Sequence, residues 1–144
     1  MTVNSRLFEA YLKCHTKCFL WSRGETGKGN AYADWVRVQS TSYREEGISR
    51  LKHGVAPSEC VTGPLDGKDL KAAKWRLAVN SKAYAESLES AIDAVERAPG
   101  DTPGKPPQFV PIRFIFTNKL NRHDKLLLAF GTMPVQDGVG HLAG

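Results

Sequence analysis

Residues 86–100, "ESLESAIDAVERAPG", decide how the rest of the chain is read. As a strand they alternate, with Leu88, Ile92 and Ala94 on one face and Glu89, Asp93 and Val95 on the other. The run ends in a Pro- and Gly-rich linker, "APGDTPGKPPQ", residues 98–108. Asp93 is the anomaly, because it stands between Ile92 and Val95, residues of core type. Two readings account for it. It is a sheet acid that faces solvent or pairs with Arg97 or Arg113, or it is a ligand for a magnesium ion. A hard cation takes carboxylate oxygen from a rigid strand, usually with a second acid on the neighbouring strand.

Strand signals continue on both sides. "AKWRLAV", residues 73–79, puts Trp75, Leu77 and Val79 opposite Lys74 and Arg76. "FVPIRFIFTNK", residues 109–119, is the strongest strand signal, with Val110, Ile112, Phe114 and Phe116 on one face. "HGVAPSECVTGPLDGKDL", residues 53–70, reads as loop with one short strand.

The flanks have helical period. "NSRLFEAYLKCHTKCFLWSRG", residues 4–24, reads as one helix capped by Asn4 or Ser5 and ended by Gly24. Its stripe is Leu7, Tyr11, Cys14 and Cys18. A second helix runs from about Tyr32 to Leu51 with Trp35, Val36, Tyr43, Ile48 and Leu51 inward, and "QSTS" at 39–42 invites a break. "NRHDKLLLAFG", residues 121–131, is a helix capped at Asn121, and "TMPVQDGVGHLAG" after it has no period. The expected fold is α+β (mixed α/β), a short, largely antiparallel sheet of about three strands flanked by helices.

With 144 residues the chain has the length of one domain, and 41% hydrophobic against 24% charged residues places it among globular proteins. Its net charge of +5 leans weakly toward polyanionic partners. No apolar run reaches membrane-spanning length and the N-terminus is not of signal-peptide type, so a cytoplasmic protein without membrane contact is expected. Three cysteines without a secretory signal argue against a disulfide framework.

Several motifs have dull readings. "TGKGN" lacks the phosphate-loop spacing and is a solvated turn. Cys14 and Cys18 in "CHTKC" share a helix face where two thiolates could meet a metal. Two cysteines make half a zinc or iron–sulfur set, and core packing is the simpler account. His15, His53, His123 and His141 have no ligand spacing and read as solvated.

"LFEAYLKCHTKCFL", "AIDAVERAPG…QFVPIRF" and "KLNRHDKLLLAF" together resemble RecB-like nucleases of the PD-(D/E)XK superfamily, the group that includes the CRISPR-associated RecB-like exonucleases. The likeness covers about residues 5–130, with gaps in the middle, and divides the chain into a partial nuclease domain at 1–130 and an irregular tail at 131–144. It implies a partial restriction-endonuclease-like core acting on DNA with magnesium or manganese. Asp93 would be the second-motif metal ligand, Glu45 or Glu46 the first-motif acid, and Lys119 the phosphate-neutralising cation. Cys14 to Lys17 match the signature whose cysteine joins an iron–sulfur cluster in full-length relatives, with Cys18 the second candidate ligand on the helix, and a cluster is not expected here without the C-terminal cysteines.

The chain departs from the pattern in that no Asp or Glu lies between Asp101 and Asp124, where the third-motif acid belongs, and in His15, where proline is usual. The expectation is a truncated or shortened nuclease-family protein, catalytically incomplete alone, with a downstream nuclease or helicase segment as partner. The alternative is a non-catalytic nucleic-acid- or protein-binding domain. Lys74, Arg76, Arg113, Lys119, Arg122 and Lys125 are the expected contacts to DNA, held weakly and without sequence preference. Oligomeric state is not legible.

Overall fold

The computed structural model describes residues 1–65, 70, 73–98, 100, 102–105 and 107–140, with side chains described as far as 135. The strands are β1 (Val3–Asn4), β2 (Cys60–Leu65), β3 (Leu77–Ala85), β4 (Leu88–Ala98) and β5 (Gln108–Ile112). The helices are α1 (Ser5–Lys13), α2 (His15–Ser22), α3 (Ala31–His53) and α4 (Arg122–Gly140). The fold is α+β, as expected, with a mixed sheet of five strands where about three were foreseen.

β4 is the centre of the sheet. One edge pairs antiparallel with β3 along its length. The other edge is shared end to end by β1, parallel at Leu88 and Glu89, and β5, antiparallel from Ala94 to Ala98. β2 closes the far side, parallel to β3. Pro111 sits on β5, an outer strand of this sheet, where its missing N–H removes no interior ladder bond.

Both faces of the sheet are covered, and this changes the reading of β4. Ile92 and Val95 join Leu70, Ala78, Ala83 and Val135 in one cluster, on the α4 side. Ala94 joins Ile48 of α3 with Leu77 and Val79 in the other. The expected single alternation, with Ile92 and Ala94 together, is therefore broken between 92 and 95. The cause lies on the neighbouring strand. Asn80 takes φ +48° between the pairs Val79–Ala94 and Ser81–Ile92, directly across from Asp93. Beyond it Gly63 of β2, at φ +122°, marks a register shift in the β2–β3 ladder. Asn tolerates the left-handed region better than other side chains, which lets the pleat reset here.

The N-terminal helix is two helices. Asn4 caps α1 by accepting the Leu7 N–H at 2.9 Å, but Cys14 leaves the helical region (φ −164°, ψ 114°) and starts α2. The buried residue of α1 is Ala10; Tyr11 and Cys14 are exposed, so the expected stripe is not the core face. Phe8 instead stacks on Phe130 of α4 with ring centroids 4.6 Å apart. α3 runs unbroken through "QSTS", capped by Asn30, and buries only its C-terminal part at Ile48. Trp35 and Tyr43, expected inside, lie outside.

β5 ends at Ile112, short of the strand foreseen to Lys119, and Val110 and Phe116 are exposed. α4 begins as expected: Asn121 accepts the Asp124 N–H and Asp124 accepts the Asn121 N–H, a reciprocal cap. It then continues to Gly140, over residues read as an irregular tail. Val135 explains why, since its burial in the sheet cluster rewards the helix despite Pro134 inside it. Buried Ser90 on β4 donates to the Gly131 carbonyl at 3.2 Å, which ties this part of α4 to the sheet.

Candidate functional site

The Asp93 carboxylate is 13% exposed and is held by two groups. Oδ2 accepts the Phe114 N–H at 2.8 Å, and the Arg44 guanidinium of α3 stands 4.0 Å from Oδ1. The partner is thus Arg44, not Arg97 or Arg113. This contact also explains the early end of β5, because the Phe114 N–H turns to a side chain and leaves the ladder. The sheet acid is answered mainly by backbone and by a cation from the helix above.

The other residues of the expected metal centre are placed differently. Glu46 pairs with Arg50 one turn along α3, and Glu45 is exposed. Lys119 is exposed in the segment before α4. No group of three or more His, Cys, Asp or Glu side chains suited to a metal ion occurs among the described residues. Cys14 and Cys18 are free thiols, the first exposed and the second half-buried, which corrects the core-packing account for Cys14. His15 stacks on Tyr11 at 4.4 Å, His53 contacts the Ser49 carbonyl at 2.6 Å, and His123 lines the cleft described next. His141 lies outside the described residues.

That cleft, of about 360 Å³, forms where the end of α1, the middle of α3, residues 113–117 and the start of α4 meet. Lys13, Arg113 and His123 contribute positive or titratable groups, and Glu9 and Asp124 contribute acids. Both acids are engaged: Glu9 by Lys13 at 2.7 Å, Asp124 by the Asn121 N–H. Arg113, Lys119, Arg122 and Lys125 enter no ion pair among the described residues. Lys74 and Arg76 lie apart from them, exposed ahead of β3, where Arg76 stands 3.9 Å from Glu59. Of the expected DNA contacts, Arg113 lines the cleft, Lys119, Arg122 and Lys125 lie on the segment leading into α4 and on its first turn, and the Arg76 carbonyl accepts the Arg97 N–H at the C-terminal end of β4. Lys68 and Lys71, in the same basic run as Lys74, lie outside the described residues.

Sequence reasoning passed over a second feature of α3. Tyr32, Trp35, Phe116, Tyr43 and Phe114 form a chain of ring contacts with centroid separations of 6.2, 6.3, 6.1 and 6.4 Å. Phe114 lies against the helix backbone at Gly47, where a Cβ would come within 2.8 Å of Phe114 Cγ. Beside it opens a slot of about 260 Å³ lined by Tyr43, Glu46, Gly47, Arg50, Leu51 and Phe114. The signal was present in the sequence as Gly47, the one residue of α3 that allows an aromatic ring so close.

No helix among the described residues is long and apolar enough to cross a membrane. No protein-family model matches the chain, and neither a curated protein nor a solved structure does.

Proposed function

We propose that the chain is a DNA-directed, non-catalytic module of RecB-like nuclease type, which grips the phosphate backbone at the cleft around the start of α4 and does not cut it. The observation that carries the reading is a run of cations without ion pairs along one wall of that cleft. Arg113 of the cleft wall, and Lys119, Arg122 and Lys125 on the segment that runs along it, have no acidic partner among the described residues, while Glu9 of the cleft is paired with Lys13. Unpaired cations along one segment hold phosphates and release condensed counterions, which gives affinity without sequence preference.

The surroundings of Asp93 support the absence of cleavage by this chain alone. A magnesium or manganese ion needs carboxylate oxygens open to it. Here one oxygen takes the Phe114 N–H, and the Arg44 cation stands where a metal would compete. In this reading the protein works in the cytoplasm, and any cutting is supplied by a downstream nuclease or helicase segment.

A gel-shift series tests it. Binding to duplex DNA should fall on the order of 100-fold between roughly 50 and 200 mM salt, as about four phosphate contacts require. Replacing Arg122 and Lys125 with alanine should lower the logarithmic salt slope by about two. Magnesium-dependent cleavage that disappears in Asp93→Ala would overturn the non-catalytic reading, and absence of binding at low salt would overturn DNA as the partner.

A further inference from the structure

The ring chain on α3 borders this cleft, and Phe114 and Phe116 belong to both. Its members are unusually open for aromatics of a folded domain: Tyr32 is 74% exposed, Trp35 52%, Tyr43 46% and Phe116 45%. From Tyr32 to Tyr43 the helix rises about 16 Å. Of the acids on the same helix, Asp34 is bonded to Arg37 at 2.6 Å and Glu46 to Arg50, which leaves exposed Glu45, past Tyr43, as the one without an ion pair among the described residues.

We infer that this ladder is a stacking platform for the unpaired bases of a single nucleic-acid strand, whose phosphates run along Arg113, Lys119, Arg122 and Lys125. The inference rests on the reading that the cleft takes nucleic acid, and it adds which form is preferred. A duplex presents phosphates but keeps its base faces buried, so it gains nothing from Tyr32, Trp35 or Phe116. A single strand offers both, and base–aromatic stacking tolerates any sequence because every base has a π-face. Stacking also persists when salt screens the phosphates, so single-strand binding survives conditions that release a duplex.

The test measures binding of thymidine and uridine oligonucleotides and of a DNA duplex to the full chain, by gel shift and by tryptophan fluorescence. Trp35→Ala and Tyr32→Ala are the variants of choice, since both side chains are half or more exposed and their loss leaves the core intact. Expected are strand-induced quenching that disappears in Trp35→Phe with the other two tryptophans in place, and a loss of roughly five-fold or more in single-strand affinity for Trp35→Ala. Duplex affinity should be unchanged. The two oligonucleotides report which sugar is preferred, and tight binding of either supports the platform.

Unchanged single-strand affinity in Trp35→Ala, with the salt slope of duplex binding still lowered in the Arg122 and Lys125 variant, overturns the platform and leaves the cleft standing. Loss of both kinds of binding in the wild-type chain overturns both. A dimer in sedimentation that Trp35→Ala dissociates, with no quenching by either strand, also overturns the platform and makes the ladder a contact between copies.

Discussion

Asp93 shows how a charge survives between core residues: its chief partner is an amide from the next segment, and only its second is a side chain. The two kinds of partner respond differently to substitution. Asp93→Ala strands the half-buried Phe114 N–H and should cost about 1–3 kcal/mol in urea unfolding. Asp93→Asn keeps an oxygen for that amide and loses only the contact to partly exposed Arg44, so it should cost less than half as much. Equal costs for the two would mean that the charge, and not the amide bond, anchors residues 113–117.

A second residue-scale prediction concerns Glu86, in the two-residue turn between β3 and β4. It adopts φ +43°, a left-handed backbone that a side chain resists and glycine accepts freely. Glu86→Gly should raise stability by about 0.5–1 kcal/mol, read as a higher thermal midpoint with unchanged circular dichroism.

α3 and the segment from 113 to 117 hold each other through one position. A methyl at Gly47 would enter the Phe114 ring, which is itself boxed by Tyr43 at 6.4 Å. Gly47→Ala should therefore cost about 1–3 kcal/mol, and the double variant Gly47→Ala with Phe114→Leu should recover part of it. The same pairing explains where the sequence was hard to read. "FVPIRFIFTNK" has strand composition throughout, but a strand needs a ladder, and Asp93 and Gly47 draw residue 114 out of it. "QSTS" lacks helix formers, yet capping by Asn30 and burial of Ile48 carry α3 through it. The chain after residue 131 has no period of its own because Gly131, Pro134 and Val135 answer to Ser90 and the sheet rather than to a solvent-facing stripe. Local propensity lost in each case to a contact distant in sequence.

At the scale of the whole molecule, fold class and the start of α4 could be read from order and composition. The broken pleat at Asn80, the Arg44 partner of Asp93 and the ring ladder could not, because each depends on which face of a two-sided sheet a residue meets. A sheet covered on both faces hides that choice, since buried residues occur at odd and even positions alike.

The shared edge of β4 bears on the order in which the molecule assembles. β3 and β4 are joined by two residues and can zip as soon as both exist, on the microsecond scale of hairpins. Val3 and Asn4 must wait for Leu88 and Glu89, more than half the chain away. β1, the earliest in the chain of this sheet's strands, is in this way the last to be placed, and its contacts belong to the descent from the transition state rather than to the climb. Asn4→Ala, which removes the α1 cap beside that strand, should accelerate unfolding and leave the refolding rate nearly unchanged, a φ-value close to zero, whereas Val79→Ala in the hairpin should slow refolding. A newly made chain would thus carry its first helices loosely until the central hairpin has emerged to receive them.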